Sequence, residues 1–451
     1  MSISAFGALL QLESSPPIAN PAAAVHRDKH GLANASFDLE LNEVRHGSSP
    51  TSKTTKANSG IATPLTPTGV ENHSPAPDVA CLMNLGGGLN DSAPGALIPY
   101  IEEDYNIGYA VVSLIFVTNA LGFILAAPFT HALEAKLGRS KAYALSMVVL
   151  AAGYVIIVCK PPFPAIVASF FLLGFGLALQ LALNNVFCAN LVNSTTALGF
   201  LHGSYGIGGI IGPLIATALA SHGVQWSFFY CISLTLALFN AALAAWTFHH
   251  DHGVASKTQS LKQAVKNRTT LLGALFIFAY QGAEVSISGW VVSFLISSRD
   301  GNPSQVGYVS AGFWAGITLG RFALSHAAHM IGEKLSVVLL VIGSVAFQMM
   351  TWLIPNVIGD AVAVSIVGLL LGPVYPCATA VFSKLLPRSM QMSSLSFISA
   401  LGSSGGAVSP FFTGLLAQNV GTFVLHPICI GLYGVMLTGW ACLPRISKRS
   451  E

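Results

Sequence analysis

The sequence predicts an all-α membrane protein in which twelve transmembrane helices form two six-helix bundles related by pseudo-twofold symmetry. Apolar residues make up 53% of the 451-residue chain and charged residues only 9%, whereas soluble domains carry about 25% charged residues. Twelve apolar segments are long enough to cross a bilayer, which takes about 20 residues. The second half of the chain also repeats glycine and proline positions of the first, as expected for a transporter built from two related halves.

The N-terminal segment, 1–78, is rich in Ser, Pro, Ala, Asn and Thr and has no sustained apolar period. Such a composition cannot bury enough apolar surface to offset the entropy lost on ordering, so we expect a disordered cytoplasmic tail. Residues 1–25 lack a basic n-region and are interrupted by Pro16 and Pro17. We therefore expect no cleaved signal peptide.

Twelve predicted spans follow the tail. Spans 1 to 6 make up an N-terminal bundle over 79–248, and a cytoplasmic linker covers 249–268. Spans 7 to 12 make up a C-terminal bundle over 269–443, and 444–451 is a cytoplasmic C-terminal tail. The expected limits of the spans are 79–100, 107–132, 141–158, 165–191, 198–220, 227–248, 269–296, 305–327, 335–354, 359–383, 392–417 and 423–443.

Span 1 has the least hydrophobic driving force of the twelve. Three consecutive glycines (86–88), Asn90, Asp91, Pro94 and Pro99 interrupt its apolar residues, so it could be a shortened helix. The orientation of the chain depends on it, because an even number of spans places both termini on one side.

Basic residues are distributed unevenly between the two sides of the predicted membrane. Fourteen Lys and Arg residues fall in the predicted cytoplasmic segments, among them Arg321 in the loop after span 8, and only Lys160 and Arg299 fall on the other side. This excess agrees with the positive-inside rule. We expect a multi-pass protein of the plasma membrane with both termini in the cytoplasm.

Glycines recur in the two halves at an offset of 194 residues: Gly138 matches Gly332, and Gly174 matches Gly368. Spans 5 and 11 match at five positions with an offset of 197. Small residues at such spacing let helices approach closely in lipid, and a gating hinge is the alternative interpretation. The specific part of this match is a Gly-Gly-x-x-x-Pro pattern, formed by Gly208, Gly209 and Pro213 in span 5 and by Gly405, Gly406 and Pro410 in span 11.

Two acids lie in the middle of otherwise apolar spans, Asp91 in span 1 and Glu284 in span 7, 193 residues apart. An acid at the bilayer centre costs about 2.5–3.5 kcal/mol on the insertion scale, so it indicates a functional site. We expect the two carboxylates to face one another's bundle across a midplane cavity, with Asp91 taking part in proton coupling. In the alternative, Asp91 holds span 1 in place by hydrogen bonding, and Glu284 is a structural acid tied to backbone or to Asn119.

The loop after span 2 resembles a signature of the major facilitator superfamily, in which an acid and a basic pair latch the two bundles. Ala135 stands where that family has its acid, and Glu134 lies next to it. The resemblance implies a gating role for Glu134, Gly138 and Arg139, and the corresponding loop after span 8 contributes Arg321.

Three further patterns resemble the fucose-permease-like branch of this superfamily and, within it, the fungal transporters of the "bypass of stop codon" type. The resemblance covers about 79–443 and implies that sugar movement is coupled to protons through Asp91. It also departs from the bacterial sugar symporters of this branch, because span 4 has no acid. The patterns are Asn90-Asp91-x-x-x-Gly95-x-x-x-Pro99, Leu201-His202-Gly203-x-Tyr205-Gly206-x-Gly208-Gly209 and Ala283-Glu284-x-x-x-x-Gly289-Trp290.

Other polar and aromatic side chains within the spans complete the expected substrate site. Amides can hydrogen-bond a hydroxylated ligand, and four residues of span 7 fall on one helical face, which we expect to line the cavity. For the aromatic and histidine candidates, packing in the core is the alternative. Together with Asp91, the candidates are Asn90, Asn119, Gln180, Asn184, Asn185, His202, Tyr205, Tyr280, Gln281, Glu284, Trp290, Trp314 and Tyr375, and Ser288 completes the span 7 face.

Several classes of protein are excluded by the sequence. The seven cysteines show no C-x-x-C pair and the chain has no histidine cluster at ligand spacing, so we expect no disulfide framework, metal site or cofactor. A net charge of +3 with scattered basic residues argues against nucleic acid as a partner. No Walker motif or soluble catalytic domain is present, so we expect neither an enzyme nor an ATP-driven pump.

These features predict a monomeric, proton-coupled secondary transporter whose partners are a small-molecule substrate, protons and the lipid bilayer. We expect it to move a small polar, sugar-like solute by alternating access. Efflux of a small metabolite or drug is the alternative, because the glycine-rich span 5 resembles the antiporter-type signature of the superfamily. A second alternative is a non-transporting receptor on the same fold, against which the short linker argues.

The orientation can be tested at Ser256, which lies in the linker. A single engineered cysteine, Ser256→Cys, is expected to stay unlabelled when an impermeant thiol reagent is applied to intact cells, and to react after permeabilisation. Labelling of intact cells would place the linker outside and overturn the predicted topology.

Overall fold

The computed structural model describes residues 75–189, 191, 194–249 and 266–444. The predictions for 1–74 of the N-terminal tail, for most of the linker and for 445–451 of the C-terminal tail concern residues outside these ranges. Residues 76–78, predicted to belong to the tail, are helical. Within them, all regular secondary structure is helical.

Twelve long helices follow the twelve predicted spans in order, and most extend slightly beyond the expected limits. Short helical turns at Tyr109–Val112, Trp226–Phe228, Pro303–Val306 and Thr422–Val424 precede four of them. The twelve are α1 (Ala76–Tyr105), α2 (Leu114–Leu137), α3 (Arg139–Val158), α4 (Phe163–Ala189), α5 (Ser194–Ser221), α6 (Phe229–Thr247), α7 (Arg268–Arg299), α8 (Tyr308–Leu319 and Ser325–Ile331, joined by a π-helical turn at Gly320–Leu324), α9 (Glu333–Leu353), α10 (Val357–Leu371 and Val374–Leu385), α11 (Arg388–Val420) and α12 (Leu425–Ala441).

Within the described part of the chain, nine of these helices are long and apolar enough to cross a membrane by themselves. The other three are α1, α8 and α11, which are interrupted by polar residues, a π-helical turn or many serines and glycines. The structure is therefore consistent with twelve crossings, three of which depend on their neighbours for stability.

The first helix is not shortened. α1 has 30 residues and contains both Pro94 and Pro99. Most of its residues between Val79 and Ile101 are buried against other helices, so packing supplies the stability that its composition lacks. Proline is tolerated within a transmembrane helix when neighbouring groups satisfy the freed backbone.

Helix pairing repeats between the two halves. In the first half α1 packs on α5, α2 on α4 and α3 on α6, and in the second half α7 packs on α11, α8 on α10 and α9 on α12. Every pair recurs with both numbers raised by six, which is the pseudo-twofold relation of two six-helix bundles. The bundles meet through α5 with α8, α2 with α11 and α1 with α7.

Glycines of α5 and α11 bring the paired backbones into contact. A Cβ atom at Gly208 would lie 2.1 Å from the carbonyl oxygen of Leu85 on α1, and one at Gly405 would lie 1.9 Å from that of Phe278 on α7. Since real Cβ contacts are never this short, only glycine fits at either position. The predicted close packing of small residues is therefore present in both halves.

The glycines that repeat at an offset of 194 also occupy equivalent places. A Cβ at Gly174 would meet the carbonyl oxygen of Asn119 at 1.9 Å, and one at Gly368 would meet that of Phe313 at 2.2 Å. Asn119 and Phe313 are themselves 194 residues apart. Gly138 and Gly332 end α2 and α8 with φ values of 77° and 105°, in the region that favours glycine.

Lys160 and Arg299, the two basic residues that the sequence places away from the others, each bind an acid in a loop or near a helix end. Lys160 Nζ lies 2.6 Å from Asp104, which also accepts a hydrogen bond from Trp226, and Arg299 Nε donates to Asp360 at 3.0 Å. Burial opposes ionisation of Asp104, but the bonds from Lys160 and Trp226 outweigh it and lower the pKa of this carboxyl.

The contact between α1 and α5 can be tested with two alanine substitutions in α5. Gly208→Ala is expected to lower the free energy of unfolding by about 1–3 kcal/mol, the usual cost of overpacking. Gly199→Ala is the matched control, because a Cβ there meets nothing within 4 Å and alanine favours helix by up to about 1 kcal/mol. Thermal unfolding of the purified variants gives the comparison, and equal stabilities would contradict the packing role of Gly208.

Candidate functional site

Asp91 lies near the middle of α1 and is held by two neighbours. The Tyr205 hydroxyl on α5 donates to Oδ2 at 3.0 Å, and the Asn90 amide donates to Oδ1 at 3.2 Å. The backbones of the two helices touch at this level, because a Cβ at Gly88 would lie 2.1 Å from the carbonyl oxygen of Tyr205. The close approach of α1 and α5 thus delivers the hydroxyl to the carboxylate.

A small cleft opens beside Asp91 where α1, α2, α4 and α7 meet, with only about 20 Å³ of space accessible to water. Its polar lining comes from both bundles, since Asn119 on α2 and Ser288 on α7 face it together with Asn90 and Asp91. The rest of the lining is Pro94, Gly95, Ile115, Phe116, Phe170, Val285 and Gly289.

Glu284, the second predicted acid, is completely buried one turn before Ser288 on α7. It does not line the cleft beside Asp91. Its Oε1 atom lies 3.9 Å from Nη2 of Arg321, so a basic partner reaches it from another helix.

The predicted position of Arg321 in a cytoplasmic loop is wrong. The residue lies inside α8, in the π-helical turn Gly320–Leu324, and its side chain is mostly buried. The turn packs closely on α10 where that helix is broken, because a Cβ at Gly372 would lie 2.4 Å from the carbonyl oxygen of Ile317 and 3.0 Å from the backbone nitrogen of Arg321. π-helical turns occur often at functional sites, and here one brings the guanidinium to Glu284.

Aromatic side chains connect the surroundings of the two acids. Tyr205 on α5 meets Trp314 on α8 edge to face at 6.1 Å between ring centroids, which joins the bundles beside Asp91. Tyr280 on α7 and Tyr375 on α10 lie 5.7 Å apart in the C-terminal bundle. His202, three residues before Tyr205, is only partly exposed.

Four further residues predicted to contact the substrate do not line the cleft beside Asp91: three amides of α4 and Trp290. The amides of Asn184 and Asn185 donate to the carbonyl oxygens of Ala80 and Leu181 at 3.2 and 3.0 Å. Gln180 is buried beside them and does not line the cleft. These three residues of span 4 are buried within their own bundle in this structure, and their role as ligand contacts stays a prediction.

Trp290 is the fourth, and its indole donates to the carbonyl oxygen of Pro410 at 2.8 Å. The ring packs against Tyr109 and Phe116. Trp290 therefore packs in the core of this structure, and its contact with a substrate stays a prediction.

Glu134 and Arg139 form a buried ion pair at 3.0 Å across the end of α2 and the start of α3. The guanidinium also lies over the Phe187 ring, 5.7 Å from its centroid. Glu134 thus binds the basic residue of the loop although Ala135 stands in the usual place of the acid. The pair lies within the N-terminal bundle, and its latch role stays a prediction.

Gly209 differs from the other predicted gating residues of α5 and α11, because it faces the opposite bundle: a Cβ there would meet the Trp314 ring at 3.2 Å. Pro213 and Pro410 lie inside their helices without ending them. Gating by these positions, including Gly406, stays a prediction.

Sequence reasoning missed the role of Arg321 although a signal was present. The expected limits of span 8, 305–327, already include this residue, and a lone arginine inside a span indicates a buried partner as clearly as a lone acid does. The partnership of Tyr205 with Asp91 had no such signal, because it depends on how α1 and α5 pack.

Comparison with known proteins shows one family over most of the chain. A family model of the Major Facilitator Superfamily matches residues 80–410. The chain is 26% identical over 419 residues to Bypass of stop codon protein 6 of Saccharomyces cerevisiae, covering 83% of each protein. It is 30% identical over 178 residues to a glucose/galactose transporter of Brucella abortus, covering 38% of the chain and 42% of that protein.

A solved structure has the same fold. The crystal structure of a D-xylose-proton symporter superposes with a TM-score of 0.66 at 13% sequence identity, covering 82% of this chain and 98% of the symporter.

The hydrogen bond between Tyr205 and Asp91 can be measured with a double-mutant cycle of Asp91→Asn and Tyr205→Phe. We expect a coupling free energy of about 1 kcal/mol or more, because the bond is partly buried and one partner is ionisable. Unfolding of the four proteins supplies the number. A parallel cycle with Tyr230→Phe, a buried tyrosine of α6, is the control, and equal coupling in both cycles would contradict the assigned bond.

Proposed function

The chain belongs to the Major Facilitator Superfamily, and from this premise we propose that it is a proton-coupled secondary transporter of a small hydroxylated solute. As a multi-pass membrane protein of this family it is a transporter and not an enzyme. The coupling, the solute and the residues that bind it are the substance of the proposal.

The position of Asp91 carries the proposal. It lies in the middle of a helix, at a cleft where the two bundles meet. A carboxyl group at that depth costs free energy, so its presence indicates a function. Alternating access exposes a midplane site to the two sides in turn. A carboxyl group at such a site can take up a proton on one side and release it on the other, which couples the proton gradient to transport.

The cleft next to Asp91 favours a hydroxylated solute. Asn90, Asn119 and Ser288 line it, and the side-chain oxygens of both asparagines are buried without a hydrogen-bond partner among the described residues. Such acceptors, together with the serine hydroxyl, suit a ligand that carries several hydroxyl groups. The relative from Brucella abortus, a glucose/galactose transporter, points in the same direction.

We further propose that the protein works as a monomer in the plasma membrane with both termini in the cytoplasm. The distribution of basic residues supports this orientation, although Arg321 no longer counts among the cytoplasmic ones. Efflux of a metabolite or drug is the second candidate direction, and proteoliposome assays with the proton gradient imposed in either sense distinguish it from uptake.

Replacing Asp91 tests the coupling directly. Asp91→Asn resembles the protonated form, so the variant is expected to retain solute exchange in proteoliposomes while losing accumulation driven by a pH gradient. Asp78→Asn is the matched control, because Asp78 lies exposed in the first turn of the same helix. Accumulation by Asp91→Asn with unchanged pH dependence would mean that Asp91 only holds α1 in place.

A further inference from the structure

One edge of the Arg321 guanidinium makes no hydrogen bond of ordinary geometry to a described residue, although Glu284 and Tyr280 lie beside the guanidinium. Its Nε and Nη2 atoms are both buried and without a hydrogen-bond partner in the described part of the chain. Both carboxylate oxygens of Glu284 and the indole nitrogen of Trp314 are also buried without a hydrogen-bond partner among the described residues. The 3.9 Å between Arg321 and Glu284 is an ion-pair distance and too long for a hydrogen bond.

Nε and Nη2 form the side edge of the guanidinium, with two parallel N–H groups. This fork matches the two oxygens of a carboxylate, which it binds in a bidentate manner. A buried charged donor without a hydrogen-bond acceptor is more costly than a neutral one, and a ligand that supplies the acceptor removes this cost. We propose that Arg321 anchors a carboxylate group of the transported solute.

The residues near Arg321 indicate which other groups the solute carries. Glu284, beside Arg321, and Ser288, in the cleft beside Asp91, are four residues apart on α7, which corresponds to about 6 Å along a helix. Tyr205 connects the two places, because it donates to Asp91 and its ring meets Trp314. A solute that offers a carboxylate to Arg321 and hydroxyl groups to Asn90 and Asn119 has the chemistry of a sugar acid.

The anchor exists in one half of the repeat only. At the offset of 194 residues that relates α2 to α8, the position of Arg321 corresponds to Ala127, and that of Gly320 to Ala126. The glycine lets the π-helical turn press against α10, since a Cβ there would lie 2.1 Å from the carbonyl oxygen of Leu369. Arg321 and Gly320 thus have no counterparts at the equivalent positions of the N-terminal bundle. Such asymmetry is expected for a residue that determines specificity.

This inference rests on the proposed function and is tested with D-gluconate and D-glucose as probes. Binding is measured on the purified full-length protein by calorimetry, and accumulation in proteoliposomes with a pH gradient. Wild type is expected to bind and accumulate gluconate more strongly than glucose. Arg321→Gln is expected to weaken gluconate binding at least tenfold and leave glucose unchanged, and Arg321→Lys to fall between them because lysine lacks the fork.

Lys384→Gln is the charge-matched control, because this lysine of the same bundle is exposed and pairs with Glu333 at the end of the helices. It is expected to bind gluconate like wild type, and an equal loss in Lys384→Gln and Arg321→Gln would overturn the anchor. If Arg321→Gln does not fold, the comparison of the two probes on wild type decides. Proton-driven accumulation of glucose without gluconate binding refutes the anchor and leaves the proposed function intact, whereas accumulation of neither probe under any gradient refutes both.

Discussion

The contact between the backbones of α1 and α5 is the constraint on which the site depends. Gly88 and Gly208 each present bare backbone to a carbonyl group of the other helix, and no larger residue leaves room for this approach. In lipid, such contacts replace the hydrophobic effect as the source of helix association. They also stabilise a first helix that its own composition does not favour in a membrane, and they bring Tyr205 within 3.0 Å of Asp91. The polar centre of the N-terminal bundle is thus a consequence of glycine packing.

The two halves carry an acid at equivalent places but surround it with different groups. Each places an acid near the middle of its first helix, yet Asp91 is held by neutral donors while Glu284 faces an arginine. The difference comes from α8 and α10, which are broken where their counterparts α2 and α4 are continuous. A pseudo-symmetric frame with an asymmetric centre suits a transporter, because the frame allows the two bundles to rock about a site between them while each half contributes different groups to that site.

Buried amides lie in two places in this protein. Asn184 and Asn185 donate to backbone carbonyl groups within the N-terminal bundle, whereas Asn90 and Asn119 lie at the cleft between the bundles. The side-chain oxygens of all four are buried without a hydrogen-bond partner among the described residues. Position at the cleft, and not the unsatisfied oxygen, therefore distinguishes the second pair.

The sequence by itself determined the class of fold, the order of the helices and the repeat, because bilayer thickness and glycine spacing act on the chain locally or at a constant offset. It also singled out Asp91 and Glu284, since an acid in an apolar span is visible without a structure. Only the tertiary structure decided which groups meet these acids, placed Arg321 inside α8, and showed that Trp290, Asn184 and Asn185 donate to backbone carbonyl groups. Those outcomes depend on which face each helix turns to its neighbours, and in an almost uniformly apolar helix the composition of the faces differs too little to specify it.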